Sequence, residues 1–121
     1  MNKKGKDVSE HAEYMLQTLN GKITGITLKA PGVEGYIVGR ADEASDYMPD
    51  VDLSAFEARE RGVSRRHAAL VQFKGDLHVV DLGSINGTFI NGKRLAPETP
   101  FPVSPGDEMR LGTLDLILLR T

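Results

Sequence analysis

The sequence predicts an all-β fold, a two-sheet β-sandwich with a short helix ahead of it. From Lys22 onward, short apolar segments recur, each divided from the next by Gly, Pro, Asp or Asn. One divider, Asn91-Gly92, is a strong type I′ hairpin signal. Before Lys22 the apolar residues follow helical spacing instead.

Residues Met1 to Asp7 read as a loose polar tail. Asp7 with Glu10 three places on has the form of a capping box. Val8, Ala12, Met15, Leu16 and Leu19 then share one helical face, and Asn20-Gly21 supplies the stop. The spacing predicts a helix over Val8 to Leu19. Its apolar stripe must pack on the domain that follows or on another protein. The expected division is therefore 1–21 for tail and helix and 22–121 for the sandwich.

Within the second part, Ile26 and Leu28 alternate with Thr27 and Lys29, and the run Tyr36 to Val38 stops at Gly39. Ala69, Val71 and Phe73 alternate with Leu70, Gln72 and Lys74. Gly75-Asp76 divides that segment from Leu77 to Leu82, as in a hairpin. Thr88 to Ile90 and Lys93 to Leu95 flank Asn91-Gly92. Pro105-Gly106-Asp107 is read as the turn that separates Glu108 to Leu111 from Leu114 to Leu119. Ala41 to Gly62 breaks the rhythm and reads as a long acidic loop with one helical turn, the kind of segment that often carries function.

The chain has 121 residues, enough for one core, and no cysteine, which removes disulfides and thiolate metal sites. A formal net charge of -2 argues against a nucleic-acid partner. No apolar run is long enough to span a bilayer, and no apolar segment follows the basic start Met1 to Lys6. A cytoplasmic location is expected, with no membrane or nucleic-acid partner.

Three clusters could carry chemistry, all at expected strand ends: Gly39-Arg40, Ser64-Arg65-Arg66-His67, and Asp81 to Thr88 with Asn91-Gly92. Singly each is an ordinary surface charge or turn. Their order and spacing together resemble the signature of forkhead-associated (FHA) domains, over about Ile23 to Leu119. That resemblance implies a two-sheet sandwich whose loops at one end bind phosphothreonine peptides and catalyse nothing, without a cofactor or metal. The implied partner is a phosphothreonine-containing protein or peptide, a Ser/Thr kinase or its substrate. Oligomeric state is left open.

The residues suit the chemistry the resemblance implies. A phosphothreonine carries a charge of about -1.5 to -2 and three acceptor oxygens. Arg40 offers a planar fork of donors, Ser64 a hydroxyl, Arg65 a second cation, and Asn86 a donor and an acceptor for the peptide backbone. Ser84 completes the expected phosphopeptide-binding set. Gly39, His67, Gly83, Gly87, Thr88, Asn91 and Gly92 are expected to shape the loops, the glycines by backbone freedom, and Asp81 to brace them. Alternation puts Arg66 on a different side from Arg65. Arg59, Arg61 and Arg65 crowd the approach to Ser64 and suggest an acidic peptide, or simply balance the acidic loop. Ile85 stands where many family members have Thr or Ser, so a phosphate-binding hydroxyl is missing there and weaker binding is expected.

Rival readings fit less well. Ser64, His67 and Asp81 are the right types for a hydrolase triad, but no nucleophile-elbow pattern accompanies them. His11, His67 and His78 lack ligand spacing, and neither phosphate-binding glycine motif is present. The alternative from a different class is an interaction or dimerisation module that ignores phosphate.

Overall fold

A computed structural model of the chain describes residues 12–19, 25–31 and 34–121. Eleven strands are found among these residues, in two sheets. They are β1 (Glu13–Thr18), β2 (Gly25–Lys29), β3 (Tyr36–Gly39), β4 (Val51–Asp52), β5 (Arg66–Phe73), β6 (Asp76–Asp81), β7 (Thr88–Ile90), β8 (Lys93–Arg94), β9 (Phe101–Pro102), β10 (Glu108–Leu111) and β11 (Leu114–Arg120). One sheet runs β2-β1-β11-β10-β7-β8, the other β4-β3-β5-β6-β9. The pairs are antiparallel except β3 with β4. Among the described residues no helix is long and apolar enough to cross a membrane.

Alternation sets each strand's inner face. Leu114, Leu116 and Leu118 of β11 and Met109 and Leu111 of β10 point inward from one sheet. Val38, Ala68, Leu70, Leu77 and Val79 meet them from the other. Burial of each such leucine contributes about 1.5–3 kcal/mol.

The helix expected over Val8 to Leu19 does not form where the chain is described. Residues Glu13–Thr18 are strand β1, paired with β11 on one side and β2 on the other. The side chains read with period two: Tyr14, Leu16 and Thr18 are buried while Glu13, Met15 and Gln17 are not. Hydrogen-bonded neighbours on both edges, with Leu16 in the core, outweigh the helical spacing. The capping signal at Asp7 and Glu10 lies outside the described residues. The sheet thus takes in residues ahead of the division expected at residue 22.

Other differences are small. The β5–β6 turn is centred on Lys74-Gly75, with φ of 55° and 83°, one residue before the expected Gly75-Asp76. Asn91-Gly92, at φ 50° and 85°, joins β7 to β8 as the hairpin signal predicts. Between β10 and β11 the turn is Gly112-Thr113, not Pro105-Gly106-Asp107, which precedes both strands.

The segment from 41 to 62 is more anchored than a solvated loop. It contains β4 and a single 3-10 turn at Ser54–Phe56. Val51, Leu53 and Ala58 are buried in the core, and the Leu53 amide donates to the Gly39 carbonyl at 2.7 Å. The segment therefore holds a fixed position beside the end of β3.

Candidate functional site

The end of β3, the start of β5 and the β6–β7 loop meet at one end of the sandwich. The pairing of β3 with β5 slips between Val38 and Gly39, a bulge that re-aims the chain just before Arg40. Gly39 is needed there: an added Cβ would overlap the Arg65 carbonyl oxygen. The backbones come so close that the Arg40 amide donates to that same carbonyl at 3.3 Å.

Arg40 is then fixed by its own side chain. Its Nε donates to the Val63 carbonyl at 2.7 Å. The two terminal NH2 groups have no intramolecular partner among the described residues. Arg40 lines a recess of about 560 Å3 together with Tyr47, Ser64, Arg65, Arg66 and Ile85. The Ser64 hydroxyl is likewise unpartnered among the described residues, while its backbone amide donates to His67 Nδ1 at 2.9 Å. Arg65 Nη1 meets Asp42 Oδ2 at 2.8 Å, and Tyr47 donates its hydroxyl to the Arg65 carbonyl at 3.3 Å.

His67 is fully buried and links the loops. Because Nδ1 accepts the Ser64 amide, the proton of the neutral ring sits on Nε2, which donates to the Gly87 carbonyl at 2.8 Å. Burial pushes its pKa below the ordinary histidine value, outweighing the opposing pull of the Gly87 bond and of Asp81.

The β6–β7 loop is braced from beneath by Asp81. Its Oδ1 accepts the hydroxyls of Ser84 and Thr88, each at 2.6 Å, and its Oδ2 accepts the amides of Gly83 at 3.1 Å and Ser84 at 3.3 Å. Burial pulls this carboxyl upward, but these donors win and it titrates below the ordinary range. Thr88 is fully buried, so its hydroxyl needs that partner. Gly83 and Gly87 sit in this loop at φ 76° and 92°.

Ser84, expected to contact ligand, is instead part of the loop's own wiring. Its hydroxyl donates to Asp81 and accepts the Gly87 amide at 3.0 Å, and it does not line the recess.

Asn86 lies next to the recess rather than in its wall. Its Nδ2 donates to the Gly62 carbonyl at 3.0 Å, which leaves Oδ1 as an unpartnered acceptor among the described residues. Gly62 holds φ of 80°, and a Cβ there would stand 2.6 Å from Asn86 Nδ2. Asn91 is further off: Nδ2 donates to Asp107 at 3.1 Å and Oδ1 accepts the Glu108 amide at 2.9 Å, tying the Asn91-Gly92 hairpin to the start of β10.

Other expected neighbours do not gather here. Arg59 and Arg61 do not line the recess, and Arg61 reaches Glu57 at 3.4 Å. Conversely, the sequence reading missed Tyr47 and misplaced Arg66, which lines the same recess as Arg65. Strand alternation applies only from Arg66, where β5 begins, so Arg65 in the preceding turn falls outside it. Nothing local marks Tyr47; only the folding of 41–50 back across Arg65 brings it in.

The hydrolase wiring is also different from a triad. His67 receives the Ser64 backbone amide, not its hydroxyl, and Asp81 is bonded to Ser84 and Thr88, not to the His67 ring.

Comparison with known proteins agrees with this layout. The chain is 46% identical over 70 residues to Protein FraH of Nostoc sp., covering 57% of this chain and 24% of that protein. It is 35% identical over 81 residues to the oxoglutarate dehydrogenase inhibitor of Corynebacterium diphtheriae, covering 67% of this chain and 48% of that protein. The chain thus spans less than half the length of these curated relatives. A structure solved in a study of phosphothreonine-dependent FHA domain interactions superposes with a TM-score of 0.64 at 25% identity, covering 88% of this chain and 95% of that one. The family model of the FHA domain matches residues 36–112, from the start of β3 past the end of β10, so the chain belongs to the FHA domain family.

Proposed function

We propose that this chain is a phosphothreonine-peptide reader that recruits Ser/Thr-phosphorylated partner proteins in signalling, and that it works as an adaptor rather than an enzyme. The observation that carries the reading is Arg40. Its Nε is committed to the Val63 carbonyl, so its remaining donors are held ready at the recess before any ligand arrives. A preorganised guanidinium suits a phosphate better than a mobile one, since less order is lost on binding.

Each residue has a role in this reading. Arg40 and Ser64 bind the phosphate, with Arg65 as a second cation. Asn86 takes a peptide backbone amide on its free Oδ1. His67, Asp81, Ser84 and Thr88 hold the loops that carry them, together with Gly39, Gly83 and Gly87. Asn91 and Gly92 shape the hairpin behind them. The related FHA domain structure, from a study of phosphothreonine-dependent interactions, supports the same ligand class. The hydrogen bonds of Ser64, His67 and Asp81 support a non-catalytic role.

The test is a titration of matched phosphorylated and unphosphorylated peptides drawn from a degenerate phosphothreonine library. Binding of the phosphorylated form alone, weakened about ten- to a hundredfold by Arg40→Ala, is expected. Equal affinities for the two forms would instead mean an interaction module that ignores phosphate.

A further inference from the structure

Three arginines line the recess, and they are not equally available. Arg40 is turned by a backbone carbonyl, Arg66 has no intramolecular partner among the described residues, and Arg65 already rests on a carboxylate. That carboxylate belongs to Asp42, 2.8 Å away. Its other oxygen accepts the Ala44 amide at 3.0 Å, so the loop itself aims it. The same loop is fastened to Arg65 by the Tyr47 hydroxyl and closed by the Asp42 amide donating to the Tyr47 carbonyl at 3.3 Å.

We propose that Asp42 sets the affinity of the recess: its carboxylate is the internal competitor that a ligand anion must displace from Arg65. The proposal rests on the phosphopeptide reading and adds to it the internal contact that filling the recess must break. A peptide carboxylate offers Arg65 no more than Asp42 already gives, and ordering the peptide costs free energy. A phosphate carries about twice the charge and three acceptor oxygens, which Arg40, Ser64 and Arg65 can share. Three guanidiniums against one carboxylate leave two positive charges, the match for a phosphate dianion.

The pair is built for exchange. The two side chains are 57% and 21% exposed, and exposed ion pairs hold only weakly. Asp42 is ionised at neutral pH, because the Ala44 amide and then Arg65 hold its carboxyl below the usual range.

The test uses the best-binding member of a degenerate phosphothreonine library and the same peptide with Glu in place of the phosphothreonine. Both are titrated by NMR against the wild type, Asp42→Asn and Glu43→Gln. The Asp42→Asn side chain retains a carbonyl oxygen to accept the Ala44 amide, and a thermal melt checks that this variant folds. Glu43 is exposed and makes no contact with Arg65, so its change controls for net charge. In Asp42→Asn phosphothreonine-peptide binding is expected to tighten about two- to fivefold, the range an exposed pair commands, and the Glu peptide to gain no more than that. Glu43→Gln should leave phosphopeptide affinity unchanged. Unaltered phosphopeptide affinity in Asp42→Asn, or an equal gain in both variants, would overturn the proposal. Wild-type protein that binds phosphorylated and unphosphorylated peptides alike would instead sink the phosphopeptide reading beneath it.

Discussion

The buried ring of His67 accepts the backbone amide of Ser64 through Nδ1 at 2.9 Å, which fixes a candidate phosphate-binding residue from within the core. This bond exists only with Nδ1 deprotonated, so the site depends on a neutral histidine.

A pH dependence of stability follows. The folded-state pKa of His67 lies below its ordinary value of 6.5, so the unfolded chain binds more protons in the intervening window. The contribution of the neutral ring is full above about pH 6.5 and is lost as pH falls through the lowered folded value. Urea unfolding at pH 7.5 and at pH 5.5 should show lower stability at the acidic end. His67→Ala should flatten that slope and cost about 2–5 kcal/mol at pH 7.5, since it leaves the Ser64 amide and Gly87 carbonyl unpaired. Asp81 acts in a separate window: its depressed carboxyl stabilises above its ordinary range and is lost only at much lower pH.

Arg40 should be intolerant even of lysine. Lysine keeps the charge but cannot bond the Val63 carbonyl and a phosphate at once through a rigid fork. Arg40→Ala and Arg40→Lys are each expected to weaken phosphopeptide binding about ten- to a hundredfold, the worth of a charged hydrogen bond. Fluorescence anisotropy measures the loss, and unchanged thermal melts would place it in binding rather than folding.

Ile85 is 85% exposed and borders the recess without offering a donor. A threonine there would supply a hydroxyl beside Arg40 and Ser64. Ile85→Thr is expected to tighten phosphopeptide binding about two- to tenfold, the net worth of one added hydrogen bond. Unchanged affinity would show that a hydroxyl at this position does not reach the phosphate.

Where sequence and structure agree, the signal was local. Asn91-Gly92 dictates its own turn, and Gly39-Arg40 marks a strand end because only glycine fits beneath the Arg65 carbonyl. Where they part, the deciding contact is distant in sequence. Tyr47 reaches the recess only because 41–50 folds back over Arg65. Ser84 has a free hydroxyl on paper, yet Asp81 three residues earlier consumes it. Alternation sets Arg66 opposite Arg65, but the strand begins one residue too late for the rule to apply.

The segment at Glu13–Thr18 offers the sharpest test of that lesson, because its two readings weigh the same side chains differently. On a helix, Leu16 and Leu19 would share one apolar face and matter alike. In β1, Leu16 is 1% exposed between the sheets, whereas Leu19 lies past the strand end and is 44% exposed. Leu16→Ala should therefore cost about 2–5 kcal/mol through lost burial and an unfilled cavity. Leu19→Ala should stay within about 0.5 kcal/mol, as exposed substitutions do. Urea denaturation of the two variants measures both, and comparable losses would return the segment to a helix. A large loss at Leu16 alone places β1 in the sheet that carries the recognition loop, since β1 pairs with β11, which pairs with β10, which pairs with β7 at the end of that loop.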